Sequence, residues 1–183
     1  MYNNILWIVG GNEGFGVRRA TLSLAAALHT LGWRVDFVAL ADGGFSDEIR
    51  SLNYTLDCLM GKRAEEAGHH TNFYSNVWKH FRQQWQCRGQ LEMIVRTRKP
   101  EWLHVRHNHL LFMAGFAARA TKIPAYWHLP NTINRRLPFN LQAISYQLFC
   151  RWAGIRPLGN SKHTADSLGY RFVNTRVLHL GID

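Results

Sequence analysis

Ile5-Leu6-Trp7-Ile8-Val9-Gly10-Gly11-Asn12-Glu13-Gly14-Phe15-Gly16 sets a short apolar run directly against a glycine-rich loop. The run does not alternate with polar residues, so it reads as a strand buried on both faces. Behind the loop, Leu24, Ala27, Leu28 and Leu31 recur at helical spacing, which predicts a helix over about Val17 to Leu31. Gly32 follows, a common helix terminator. Strand, glycine loop and helix in that order form the first unit of a parallel α/β sheet.

The same rhythm continues outward. Val35 to Leu40 is a second strand, and Asp42-Gly43-Gly44 turns the chain. Ser46 is placed to cap a short helix with Asp47 and Glu48 in its first turn. Thr55 to Met60 reads as a strand and about Asn72 to Thr97 as a long helix, halted by Lys99-Pro100. Then come strand Trp102 to Val105, helix Leu110 to Ala120, strand Ala125 to His128 and helix Leu141 to Ala153. Strand Ile155 to Leu158, a helix capped by Ser161 and ending at Leu168, and strand Arg176 to Leu180 complete the pattern. Such alternation predicts one α/β domain over residues 1–183, a Rossmann-like doubly wound parallel sheet. Ligands of such sheets bind beyond the carboxyl ends of the strands. The loops after Val9, Val105, His128 and Leu158 are therefore the candidate site.

Composition narrows the partners. Twenty-two Lys and Arg against 12 Asp and Glu give a formal charge of +10, which suits anionic partners such as phosphates, nucleic acid or an acidic membrane surface, or equally a basic but otherwise ordinary solvated surface. No nucleic-acid motif accompanies the charge. Cys58, Cys87 and Cys150 are widely spaced and odd in number, so neither a disulfide framework nor a cysteine zinc site is suggested, and a reducing cytosol fits. The first apolar run is too short for a signal peptide, and no run reaches the roughly 18 apolar residues of a spanning helix. Lys62 to Thr71 reads as a polar loop, and its His69-His70 pair is too short to count as a histidine-rich tract.

The glycine loop matches neither common phosphate fingerprint. Counting from Gly14 and Gly16, the dinucleotide pattern puts its third glycine where Arg19 stands. A P-loop needs Gly-Lys-Ser/Thr where the chain has Gly16-Val17-Arg18. Four glycines in seven residues at a helix start still suit a phosphate, or a turn that needs positive φ angles. His104, His107 and His109 have a spacing that suits a metal, but no carboxylate or cysteine completes a set. Phe73, Val77, Phe81 and Trp85 share a helical stripe interleaved with Lys79, His80, Arg82 and Arg88. That stripe is a core face with a basic solvated flank, or a membrane-facing amphipathic element.

Gly16-Val17-Arg18-Arg19-Ala20-Thr21-Leu22-Ser23-Leu24-Ala25-Ala26-Ala27-Leu28, closing on Gly32-Trp33-Arg34-Val35, resembles the first helix of the family 4 glycosyltransferases of the GT-B fold. Their pattern is Gly-Gly-x-Glu, then Leu-Ala-x-x-Leu, then Gly-His-x-Val; Arg18 stands at the Glu position and Trp33 at the His position. Lys99-Pro100-Glu101-Trp102-Leu103-His104-Val105 is similar to the family's Lys-Pro-Asp-hydrophobic-Val-His. Ile123-Pro124-Ala125-Tyr126-Trp127-His128 is similar to Ile-Pro-x-hydrophobic-x-x-His, although Leu129 replaces the acidic or small residue that follows. Gly159-Asn160-Ser161 before a helix, and the closing Gly181-Ile182-Asp183 with Leu180 in place of the linker Asn, complete the likeness.

The resemblance implies the acceptor-side, N-terminal half of a retaining glycosyltransferase, active in cell-envelope glycan or polysaccharide biosynthesis. His128 would contact the donor sugar and count as the catalytic residue. Gly14 and Gly16 would face the donor phosphates, with Arg18 as a charge partner. The loops bearing Asn12, Glu13, His107, Asn108, His109 and Asn131 would shape the acceptor site. No catalytic metal is implied, and the chain itself needs no cofactor. The nucleotide-sugar donor and the Glu-x7-Glu motif belong to a second, C-terminal domain, so this chain alone is expected to be inactive. Expected partners are a glycan or lipid-linked acceptor, the second domain and an anionic membrane surface, with no nucleic acid. The implied location is cytoplasmic, peripheral at the inner face of the membrane. A stand-alone phosphate-binding module of the same fold is the alternative.

Overall fold

The computed structural model describes residues 3–63, 73–129, 131–133 and 140–178; side chains at 62, 63, 73–81 and 83 lie outside that description. The closing Gly181-Ile182-Asp183, the His69-His70 pair and the side chains of Phe73, Val77 and Phe81 of the aromatic stripe thus fall outside what is described.

The described residues form seven strands and six α-helices in alternation. The strands are β1 (Asn4–Val9), β2 (Arg34–Asp42), β3 (Leu56–Arg63), β4 (Trp102–Val105), β5 (Ala125–Leu129), β6 (Ile155–Gly159) and β7 (Arg176–Val177). The helices are α1 (Phe15–Thr30), α2 (Gly44–Ser51), α3 (Phe73–Arg98), α4 (Leu111–Thr121), α5 (Leu141–Ala153) and α6 (Lys162–Leu168). All pairings are parallel, in the order β3-β2-β1-β4-β5-β6-β7. The chain winds outward from β1 to β3, returns beside β1 as β4, and then winds the other way. The gap between the ends of β1 and β4 is therefore the switch point of the sheet.

Two apolar layers hold the sheet. Trp7, Val9, Phe37 and Ala39 pack with Phe45 and Ile49 of α2 on one face. Leu6, Ile8, Leu103, Val105 and Trp127 pack with Leu91, Val95, Met113 and Cys150 of α3 to α5 on the other. Register Trp7↔His104 and His104↔Tyr126 puts those three on one face. Side chains alternate along a strand, so Arg106 and His128, each two residues on, share that face.

One local expectation differs in detail. The helix after β2 begins at Gly44 with extended Gly43 as its N-cap, not at Ser46. The Ser46 hydroxyl donates to the Ala41 carbonyl instead (3.2 Å), bracing the turn that leads into the helix. His104 sits within β4, as the strand reading of Trp102 to Val105 places it, buried, with its ring stacked on Trp7 at 4.9 Å. The Ser161 cap is as read, its oxygen accepting from the Thr164 N–H at 3.1 Å. Among the described residues no helix is long and apolar enough to cross a membrane.

Candidate functional site

Strand direction alone brings the ends of β1, β4 and β5 to one edge, because the three are parallel neighbours. The loop after β1 is held by its own acid. Glu13 is buried, and its carboxylate accepts from the backbone N–H of Gly10 and of Gly11 (3.0 Å to the latter). His107 Nε2 lies 3.5 Å from the same carboxylate. Burial alone would push the Glu13 pKa up; the His107 contact and the Gly10 N–H outweigh it, and the net shift is downward. Glu13 is therefore a fixed, buried negative charge at the switch point.

Arg106 and His128 stand beside it. Arg106 is buried, and its Nη1 lies 2.7 Å from His128 Nδ1. Burial brings the Arg106 pKa down to about 10, opposed by the Glu13 charge, so it remains a cation at neutral pH. His128 is 1 % exposed, and burial followed by the Arg106 charge lowers its pKa to about 4. The His104 ring meets His128 edge-on at 5.7 Å, and the same causes push His104 well below the ordinary histidine range, burial first. The result is a carboxylate, a guanidinium and two neutral imidazoles packed at the edge where ligands of this fold bind. Several of their polar atoms, His128 Nε2, His104 Nε2 and Arg106 Nε, are buried with no hydrogen-bond partner among the described residues. The Oδ1 of Asn108, which opens a 3-10 turn (Asn108–Leu110) after β4, is a fourth.

The structure places the remaining candidates unevenly. His107 and His109 stack at 5.2 Å, and a Cβ at Gly10 would lie 3.5 Å from His109 Nε2 and 3.3 Å from Glu13 Oε1. Glu13, His107 and His109 therefore form one wall with Gly10. Gly14 and Gly16 are exposed at the start of α1, where no acidic residue stands in the first turn. Arg18 is not a free charge: it donates to the Glu13 carbonyl and to Asn12 Oδ1 (3.2 Å), lying along the loop over Gly44. Asn131 is exposed beyond the end of β5. Arg106 was not among the sequence candidates. The signal was present, since Trp102, His104 and Arg106 alternate along one face of a strand whose end lies at the switch point.

The fold and the cluster at its switch point define a Rossmann-like α/β domain of the kind from which GT-B glycosyltransferases are built. The family model described as Glycosyltransferase Family 4 matches residues 16–183, and the chain belongs to that family. Among solved structures it is similar to MurG of Acinetobacter baumannii at 14 % identity and a TM-score of 0.62, covering 99 % of this chain and 47 % of that one. Anabaena Alr3699/HepE in complex with UDP is similar at 11 % identity and a TM-score of 0.71, covering 98 % and 44 %. The UDP-GlcNAc 2-epimerase of Methanocaldococcus jannaschii is similar at 12 % identity and a TM-score of 0.61, covering 95 % and 45 %. The chain thus spans less than half the length of these structures. No curated protein matched the sequence.

Proposed function

We propose that this chain is the N-terminal, acceptor-side domain of a retaining glycosyltransferase that moves a sugar from a nucleotide-sugar to a glycan or lipid-linked acceptor. The observation that carries the reading is His128: a neutral, buried imidazole at the carboxyl edge of the sheet, with Nε2 unpartnered among the described residues. In this reading Nε2 meets the donor sugar. Gly14 and Gly16, at the open start of α1, lie toward the donor phosphates, where helix N–H groups favour an anion. Arg18 stiffens the loop through Asn12 and the Glu13 carbonyl, while His107, Asn108, His109 and Asn131 border the acceptor. The nucleotide itself belongs to a second domain, so the 183-residue chain alone is inactive. The reading extends to a peripheral site on the inner face of an anionic membrane, where a lipid-linked acceptor resides.

Two measurements test it. In the longer enzyme, His128→Ala is expected to lower kcat by about 10²-fold, the scale of a lost transition-state donor, with the thermal midpoint retained. Unchanged kcat in a folded variant would remove His128 from the chemistry. Calorimetric titration of the 183-residue chain with nucleoside diphosphates is expected to show weak binding only. Tight binding would mean a complete nucleotide site within this domain, and would favour a stand-alone binding module.

A further inference from the structure

The contact between Arg106 and His128 fixes more than a position. A guanidinium carries five N–H donors and no acceptor. With Arg106 Nη1 at 2.7 Å from His128 Nδ1, that ring nitrogen has to present its lone pair. A neutral imidazole has one proton, so it then resides on Nε2. This is the reverse of a histidine prepared as a base, in which Nδ1–H donates to a carboxylate or carbonyl and Nε2 keeps its lone pair.

We infer that Arg106 is a positioning residue that holds His128 as its Nε2–H tautomer, so that the histidine meets its ligand as a neutral hydrogen-bond donor and not as a proton acceptor. The inference rests on the reading of His128 as the sugar contact, and it names the chemistry of that contact: an oxygen with a free lone pair, such as a sugar hydroxyl. Three features make the tautomer a property of the fold. Arg106 is 2 % exposed, and its backbone N–H is tied to the Ile8 carbonyl of β1 (3.3 Å), so the guanidinium has little freedom. Glu13, the neighbouring carboxylate, is anchored by the Gly10 and Gly11 N–H groups and keeps the guanidinium charged in place. On the other side His104, itself neutral, closes the ring in edge-on at 5.7 Å and adds no charge to draw the proton back to Nδ1. The Nε2–H is left buried with no acceptor among the described residues, a donor whose unmade bond a ligand oxygen would complete. Loss of the guanidinium would free the ring to take either tautomer and to titrate nearer the ordinary histidine value.

Long-range proton–nitrogen correlation NMR on the 15N-labelled chain reads the tautomer directly, with His128 assigned by its disappearance in His128→Gln. The wild-type spectrum at pH 7 is expected to show a protonated Nε2 and a bare Nδ1. In Arg106→Met the two ring nitrogens are expected to move toward the averaged values of exchanging tautomers. A protonated Nδ1 or an imidazolium in the wild type at pH 7 would overturn the inference, as would an Arg106→Met spectrum unchanged from wild type. If Arg106→Met does not fold, the wild-type spectrum alone decides. The result is separable from the sugar-contact reading: unaltered turnover of His128→Ala in the longer enzyme sinks that reading, whatever tautomer the spectrum shows.

Discussion

At the scale of single residues, the unusual economy of this domain is that its switch point buries two histidines uncharged beside one arginine. That arrangement has a pH consequence whose sign is fixed. An unfolded histidine takes up its proton near pH 6.5, whereas His128 in the fold resists until about 4. Between those values the unfolded chain binds more protons, so stability is complete above about pH 6.5 and falls as the pH drops toward 4. A displacement of that size corresponds to about 3 kcal/mol from His128, and His104 acts in the same direction. Glu13, whose pKa is depressed, adds a further loss as the pH falls below the ordinary carboxylate value. Thermal unfolding followed by circular dichroism should therefore show a midpoint that declines steadily between pH 7 and pH 4. His128→Gln should flatten the upper part of that decline; a midpoint indifferent to acid down to pH 4 would contradict the burial argument.

At the scale of elements, the glycine loop divides into two parts with opposite demands. Gly11 has φ +103°, and a Cβ there would lie 1.8 Å from the Ala41 carbonyl oxygen, because the loop after β1 packs backbone on backbone against the end of β2. Gly11→Ala should destabilise by about 3 kcal/mol or more, since strain and a clash with backbone add. Gly16 has open space around its Cβ position and lies in the first turn of α1. Gly16→Ala should instead raise stability by about 0.5 kcal/mol through helix propensity. Urea unfolding of the two variants separates the parts; comparable losses in both would mean that Gly16 is structurally required as well. The division explains what the sequence disclosed and what it withheld. Ile5 to Val9 and Val35 to Leu40 announce buried parallel strands by composition alone, and Pro100, Gly32 and Ser161 punctuate their neighbours. Which glycine is indispensable depends on contact with Ala41, 30 residues away, and no local pattern carries that. Arg106 is inconspicuous in the sequence for the same reason. A lone arginine at a strand end resembles a solvated residue until register places it against His128, 22 residues on. Ser46 has the residue type and place of a cap, yet Gly43 and Gly44 allow the helix to start earlier.

At the scale of the whole molecule, charge and aromatic surface coincide. On the helical face opposite α1 and α2, Trp85 of α3 and Trp152 of α5 remain 45 % and 43 % exposed, with Leu148, on α5 like Trp152, at 47 %. Trp85 and Trp152 both pack edge-on against Phe116 of α4, so one aromatic seam spans three helices. Arg88 lies 3.5 Å over the Trp85 ring and Arg119 4.5 Å over Trp152, which sets a cation on each exposed indole. Amphipathic rings and basic side chains together suit the headgroup layer of a bilayer, and the chain carries a formal charge of +10. Each basic residue near an anionic surface contributes about 1 kcal/mol, decaying over a Debye length of roughly 10 Å at 0.1 M salt. The proposed peripheral attachment should then be weak, specific for anionic lipid and sensitive to salt. In co-sedimentation, the chain is expected to pellet with phosphatidylglycerol-containing vesicles at low salt, to be released at high salt and to ignore neutral phosphatidylcholine. Trp85→Ala combined with Trp152→Ala should reduce the bound fraction at low salt without changing the net charge, which separates ring insertion from electrostatics. Binding that survives the double substitution but not salt would leave charge alone as the cause. No pelleting with anionic vesicles at low salt would end the membrane proposal, because the attraction is greatest under that condition.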